Sequence, residues 1–569
     1  MSKLLLFLSK KYKKYKSRTI MEKILGKLEP PKVWQYFEEL TQVPRESKHE
    51  EKVIAFLLDF AKKHKLEAKK DDIGNILIKK PASKGMENIQ SVVFQCHVDM
   101  VCTANKNVKI DFRNDPIQPY IDGEWVKAKG TSLGADDGIG VAMCMMLLTD
   151  ETIQHGPIEC LFTVDEETGL TGASALKEGF FDSKLLMNLD SEEEGEIFIG
   201  CAGGIDAKAE FEYIQELVPS DSLAFRFVIN GLKGGHSGDE IHKGLGNANK
   251  IANRFLYLIT TKYMARLSEF DGGDRHNAIP RFADFTFTVK KSKAEDLKND
   301  FNIFVEEIKD EYGKLETNIN IELNTIELPE FVIDFETQYN FTNALYVCPN
   351  GVHAMSLDIS GLVETSTNLA VVQFRDPETK ELYSIEFEDD NFSEEDDNLN
   401  EDFNINDYLD DILDDIDDID DIDDDDDEMY AGCFNDQIKI IKVVTSQRSS
   451  IESGKRDINT MVKTAFKIND AQVTGGDGYP GWKPNPKSLL LKIAVDSYKR
   501  LFNKEPKVKA VHAGLECGLF LEKYPELDMI SFGPTLLGVH SPDERIEIKT
   551  VKMWFNHIVD ILKHIPTNK

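Results

Sequence analysis

Apolar residues along the first two hundred positions follow two periods. From Pro31 to Lys63 they fall at helical spacing, at Trp34, Phe37 and Leu40, then Val53, Phe56, Leu57 and Phe60. Ile73 to Lys79 and Leu185 to Leu189 read as strands. Ser91 to Val98 is a short apolar run suited to a strand buried on both faces, and Ile158 to Val164 is another strand. Asp137 to Leu148 reads as a helix, and Ser174 to Glu178 starts a short one. Such alternation predicts helices covering a parallel or mixed sheet.

Beyond residue 206 the pattern changes. Strands are predicted at Ser222 to Asn230, Phe282 to Lys290, Asn368 to Phe374 and Ile438 to Thr445, with helices at Gly244 to Ile259 and Ser453 to Phe466. This is the pattern of an antiparallel sheet with helices on one face. From Lys487 the first style resumes, with a helix to Phe502, a strand at Met529 to Phe532 and a last helix from Ile548 to His564. The expected fold class is α/β with a mixed sheet, interrupted by an α+β insert. The divisions fall at 1–27 (a basic extension), 28–205 (first part of the α/β domain), 206–473 (the insert) and 474–569 (the remainder).

Length and charge sharpen this picture. A chain of 569 residues is too long for one ordinary core, and 41% hydrophobic residues suffice to build more than one. Of the net charge of −34, 25 negative charges lie between Glu386 and Glu428, where no Lys or Arg occurs, leaving −9 for the rest. The run reads as a solvated low-complexity insertion, with weak calcium binding or docking of a basic partner as sharper alternatives. It lacks the glycine-containing loop of an EF-hand. A basic surface for nucleic acid has no support. No stretch is long and apolar enough for a membrane span. The eight cysteines form no C-x-x-C pair and read as reduced, buried thiols. Residues 1–20 carry seven Lys or Arg and no acid, which suits a disordered extension on a cytoplasmic protein and is compatible with a mitochondrial presequence.

Five segments set carboxylates or a histidine beside apolar or glycine-rich runs. In Phe94-Gln95-Cys96-His97-Val98-Asp99-Met100, positions 97 and 99 share a strand face, so Asp99 can orient the His97 imidazole. In Gly130-Thr131-Ser132-Leu133-Gly134-Ala135-Asp136-Asp137-Gly138-Ile139-Gly140, helix capping explains the acids but not four glycines, which suit a backbone bent around something bound. Asp165-Glu166-Glu167 places three acids after a buried strand, where they form a solvated turn or divide their work, one taking a proton and one holding a metal. Asp190 ends another strand, and His540 lies in the Gly/Pro-rich loop Gly533 to Glu544. A mixed nitrogen and oxygen donor set without Cys fits zinc, manganese or cobalt.

In this order the five segments resemble those of the co-catalytic zinc exopeptidases of the aminoacylase and carnosinase type. Specifically, they resemble the branch that cleaves Xaa-His and other unsubstituted dipeptides. Gly234-Gly235-His236-Ser237-Gly238, His276-Asn277-Ala278-Ile279-Pro280-Arg281, Gly361 to Ser366, Arg448-Ser449-Ser450, Gly478 to Pro484 and His512-Ala513-Gly514-Leu515-Glu516 extend it over residues 28 to 565, apart from the acidic run. The resemblance implies a zinc-exopeptidase catalytic domain, with the insert as a lid and dimerisation domain. It implies two divalent metal ions, zinc foremost, one held by His97, Asp136 and Asp190 and the other by Asp136, Glu167 and His540. Glu166 would be the general base and Asp99 the residue orienting His97, with a cis peptide between Asp136 and Asp137. Arg448 would receive the substrate carboxylate, and His236, Asn277 and Gly514 would contact substrate. The implied partners are a dipeptide and a second copy of the chain. An N-acyl-amino-acid hydrolase or tripeptide aminopeptidase on the same fold is the alternative activity, and a catalytically silent acidic interaction protein the alternative class.

Overall fold

The computed structural model describes residues 24–375, 439–476 and 478–568; the basic residues 1–23 and the acidic run 386–428 lie outside the described residues. Eight strands form the first sheet: β1 (Glu67–Lys70), β2 (Ile76–Lys80), β3 (Val92–His97), β4 (Ile158–Thr163), β5 (Leu185–Asn188), β6 (Glu196–Cys201), β7 (Lys507–Val511) and β8 (Asp528–Ser531). They lie side by side in the order β1-β2-β4-β3-β5-β8-β6-β7. The central strands β3, β4, β5 and β8 are parallel, while β2 runs antiparallel to β4, and β8 to β6. The sheet is therefore mixed.

Every residue of β3, β4 and β5 is buried. Alternate side chains serve two cores. Ile76, Ile78, Phe94, Cys96, Cys160, Phe162 and Met187 face helices Pro31–Leu40, Ala135–Thr149 and Ile548–His564. Leu77, Val93, Leu161 and Leu186 face Ala173, Leu176, Phe520 and Trp482 on the other side. From Gly138 to Leu148, helix Ala135–Thr149 is apolar on all sides, as suits a stretch buried throughout. Pro31 to Lys63 is two helices, Pro31–Leu40 and Glu51–His64. The intervening segment carries Pro44, which disfavours helix in the residue before it.

Register explains why the site forms at one edge. His97 pairs with Thr163 and Gln95 with Asn188, so the chain leaves β3, β4 and β5 side by side at their carboxyl ends. Open α/β sheets bind ligands there. A small four-stranded sheet (Pro119–Asp122, Trp125–Ala128, Leu536–Leu537, Arg545–Glu547) lies near this edge and turns residues 538–544 into a hairpin loop.

The second sheet is antiparallel and has nine strands, the longest being Gly203–Tyr213, Val363–Arg375 and Lys439–Ser449. Its inner face (Phe211, Phe225, Phe227, Phe285, Ile441, Val443) packs on helices Ala248–Tyr263, Ala294–Tyr312, Phe335–Val347 and Glu452–Lys467. Helices on one face match the expected α+β insert. Strand Gly203–Tyr213 spans the expected division at 205/206, since Gly203 and Gly204 are not a turn but pair with Ser449 and Arg448. The acidic run belongs between the paired ends Arg375 and Ile440, eight ladder positions from the pair Ser366 and Arg448.

Candidate active site

Histidine 97 ends β3, 1% exposed. Its Nε2 lies 3.2 Å from Asp136 Oδ1 and 3.4 Å from Asp190 Oδ1, and its Nδ1 is 3.3 Å from Asp99 Oδ1. His540 Nε2 lies 3.3 Å from Asp136 Oδ2 and 2.9 Å from Glu167 Oε2. One carboxylate, Asp136, thus touches both imidazoles. His97, Asp136 and Glu167 each present a ligand atom within 4.8 Å of the others. Cys96, next to His97, takes no part, because its thiol turns to Cys144 Sγ, 3.8 Å away.

The electrostatics are those of too many acids in too little water. Burial pushes Glu166 and Asp190 well above the carboxylate range, against the pull of His97, and neighbouring acids add to the rise. Asp136 goes the other way: burial opposes its charge, but hydrogen bonds from His540 and His97 outweigh it. Hydrogen bonds to Asp136 and Glu167 push His540 up to about 11. Glu167 Oε1 is buried without a hydrogen-bond partner. A buried anionic oxygen without a donor is costly, and a cation shared among these groups removes that cost. The donor set and the orphaned oxygen therefore fit a divalent metal pair.

Asp99 is fully buried and accepts hydrogen bonds from Ser47 Oγ (2.8 Å) and the backbone N–H groups of Glu166 and Glu167 (3.1 and 3.2 Å). It ties the end of β3 to the turn after β4. Glu50 and Asp165 shape that turn: Glu50 accepts the Asp165 N–H, and Asp165 accepts the hydroxyls of Thr168 and Thr171. Beneath it, Glu516 accepts from Gln95 Nε2 at 2.5 Å and Thr163 Oγ1 at 2.9 Å.

The glycines around Asp136 have a different cause from the one expected. Gly134 adopts φ 66°, and a Cβ there would meet Arg45 and, at 2.7 Å, Met100 Sδ; a Cβ on Gly138 would lie 2.5 Å from Arg45 Nη2. These two make room for a side chain of the protein itself, not for a ligand. Arg45 and Glu544, both buried, are absent from the sequence-derived set. Arg45 donates to the carbonyls of Val98, Asp99 and Gly134. Glu544 accepts the N–H groups of Leu133, Gly134, Ala135 and Asp136 at 2.6, 2.9, 2.7 and 3.3 Å. The only sequence signal for Glu544 is an acid four places after His540 in an otherwise loop-like run. The peptide between Asp136 and Asp137 is cis.

The remaining expected residues form a second group. Arg448 is 7% exposed, gives one hydrogen bond from Nη1 to Tyr479 Oη (3.0 Å), leaves Nε without a partner and makes no ion pair among the described residues. Gly514 lies against Tyr479, where a Cβ would come within 2.9 Å of the ring. His512, on the same loop, bonds Ser366 Oγ at 2.7 Å; burial, aided by Arg448, pushes it down to about 3. His236 stands on a two-residue strand paired with Ala278 and Ile279, with Asp239 Oδ2 3.3 Å from its Nδ1. Asn277 adjoins it through its carbonyl, which accepts from Ser237 N–H. Neither His236 nor Asn277 hydrogen-bonds to the metal-type cluster.

The model of peptidase family M20/M25/M40 matches residues 93–564. The chain is 38% identical, over 95% of its length and 99% of the relative's, to cytosol non-specific dipeptidase of Escherichia coli K12. The crystal structure of aminoacylhistidine dipeptidase from Vibrio alginolyticus matches with a TM-score of 0.80 and 38% identity, covering 96% of this chain and 99% of that one. Aminopeptidase PepT of Bacillus cereus, 16% identical with a TM-score of 0.53 over 95% and 99% of the two chains, shares the fold. The chain belongs to peptidase family M20/M25/M40.

Proposed function

We propose that the protein is a metal-dependent dipeptidase acting on Xaa-His and other unsubstituted dipeptides. The observation that carries the proposal is the meeting of His97, Asp136, Glu167, Asp190 and His540 at the carboxyl ends of β3–β5 and the adjoining hairpin loop. The two relatives at 38% identity, both named as dipeptidases, support the substrate class. His97, Asp136 and Asp190 would hold one divalent ion and Asp136, Glu167 and His540 the other, zinc in the first instance, with manganese or cobalt able to substitute. Bound there, the ions supply positive charge that acidifies a water and polarises the scissile carbonyl.

In the proposed reaction Glu166 takes a proton from the attacking water as its oxygen bonds to the carbonyl carbon. It then passes that proton to the leaving amine as the C–N bond breaks. Asp99 fixes the His97 ring and, through two backbone N–H groups, the Glu166 turn. His236 would donate to the developing oxyanion, with Asn277 beside it. Arg448, a buried guanidinium in need of an anion, would take the substrate's C-terminal carboxylate, and the Gly514 backbone would line the same end. On this reading residues 28–205 and 474–569 form the catalytic domain and 206–473 a lid through which two copies pair. The cytosolic location in the Escherichia coli relative's name extends to this chain, and no described helix is long and apolar enough to cross a membrane.

A panel of β-Ala-His, Gly-His, Ala-Ala, an N-acyl amino acid and a tripeptide, assayed with and without chelator, tests the proposal. The expected result is turnover of the three dipeptides, lost on chelation and restored by zinc, manganese or cobalt. Turnover restricted to the acyl amino acid or the tripeptide, or full activity without metal, would reject it.

A further inference from the structure

Glu544 and Arg45 belong to no step of the proposed reaction, yet between them they hold the backbone of all three segments that carry His97, Asp136 and His540. Glu544 and His540 lie in one hairpin loop, closed by the pairs Leu536 with Ile546 and Leu537 with Arg545. The loop is stiffened from within. Ser541 Oγ donates to the Gly538 carbonyl at 2.7 Å and accepts the Asp543 N–H at 3.2 Å, and the Glu544 N–H meets the Ser541 carbonyl at 3.1 Å. The loop therefore grips Asp136 twice. His540 reaches its carboxylate, and Glu544 takes its N–H with the three before it. Four converging N–H donors saturate both oxygens of the 2% exposed Glu544 carboxylate. On the opposite side of the same turn Arg45 binds the Gly134 carbonyl, and its Nη1 holds the Val98 and Asp99 carbonyls at 2.9 and 2.7 Å.

We propose that Glu544, with Arg45, is a positioning residue that sets the affinity of the metal pair by fixing the backbone of Asp136 relative to His97 and His540. This rests on the metal-centre reading given above. An ordinary structural carboxylate would stabilise the fold without changing the affinity of the folded protein for metal. Glu544 instead acts on the one ligand that touches both histidines. Partners behind metal ligands alter affinity by roughly 10–100-fold when removed. A glutamine at 544 keeps the volume but turns an NH₂ group towards N–H donors, so at least two of the four bonds are lost.

The test is a zinc titration of metal-stripped full-length protein against a chromophoric chelator, for wild type, Glu544→Gln and Arg45→Lys, with circular dichroism and thermal melts of each metal-free form. The expected result is that metal-free Glu544→Gln keeps its circular dichroism and cooperative melt while binding zinc roughly 10–100-fold more weakly. If that variant does not fold, Arg45→Lys is expected to weaken binding in the same direction. Folded Glu544→Gln, or failing that folded Arg45→Lys, binding zinc as tightly as wild type would overturn the inference while leaving the metal centre standing. Wild type that binds no zinc would instead overturn the metal centre itself, and this inference with it.

Discussion

Replacing Arg448 by methionine tests the proposal that its guanidinium receives the substrate's C-terminal carboxylate. Arg448 is buried, and Tyr479 accepts a hydrogen bond from Nη1. The edge formed by Nε and Nη2 is left for a planar anion, and two parallel N–H bonds to a carboxylate fit it. Each hydrogen bond to a charged group contributes about 1.5–3 kcal/mol, so the pair contributes about 3–6 kcal/mol. At about 1.4 kcal/mol per decade, that is roughly 10²–10⁴ in kcat/KM. Methionine preserves the packing but provides no donor, and the Tyr479 hydroxyl loses its partner at a cost to folding of about 1 kcal/mol. The assay compares Ala-Ala with its C-terminal amide in both proteins. Wild type should prefer the free acid by roughly 10²–10⁴, and Arg448→Met should lose most of that preference while its rate on the amide changes little. A variant that still prefers the acid as wild type does would refute the assignment of Arg448, whatever its overall rate.

Three further outcomes are expected. Glu166→Gln should bind metal as wild type does, by metal analysis of the purified protein, while kcat falls by roughly 10²–10⁴. His512, held at about 3 when folded, lies below its unfolded value of about 6.5, so it contributes stability that is present near neutral pH and lost as pH falls from about 6.5 towards 3. His512→Asn should show a smaller drop in urea midpoint between pH 7 and pH 4 than wild type, and an equal drop would count against the burial argument. Removing residues 386–428 should leave kcat/KM on Ala-Ala within about threefold, because the strand ends Arg375 and Ile440 lie eight positions, about 27 Å, along the ladder from Arg448. A larger loss would mean that the acidic run acts on the site.

His97, Glu167 and Asp190 were legible because each sits where an apolar strand gives out into acids or a histidine, and parallel strands in register bring such ends together. Arg45 and Glu544 were not, because an arginine or glutamate in a polar loop reads as a solvated charge until its backbone partners are known. The glycines at 134 and 138 pointed to close approach, but sequence alone could not show that the approaching group was Arg45. The Pro31 to Lys63 segment carried the right apolar period yet broke at residues 41–50, where Pro44 outweighed the period. Strand β7 went unread, since Lys507–Val511 alternates lysine with valine and alanine and resembles a surface segment. The Gly203–Tyr213 strand was missed for a similar reason: its inward residues at 207 and 209 are alanines, which carry little hydrophobic signal.

One short loop has a consequence for what the enzyme can be made to accept. Residues 512–516 bond the second sheet at one end, through His512 and Ser366, and the first sheet at the other, through Glu516 with Gln95 and Thr163. Gly514, midway, rests on the tyrosine that holds Arg448. If Arg448 receives the substrate carboxylate as proposed, the covalent chain acts as a ruler between that end and the reacting centre, with at most ~7 Å of backbone from 514 to 516. On the function proposed here, splicing one residue into that stretch is the most direct route to a peptidase that accommodates three residues in place of two.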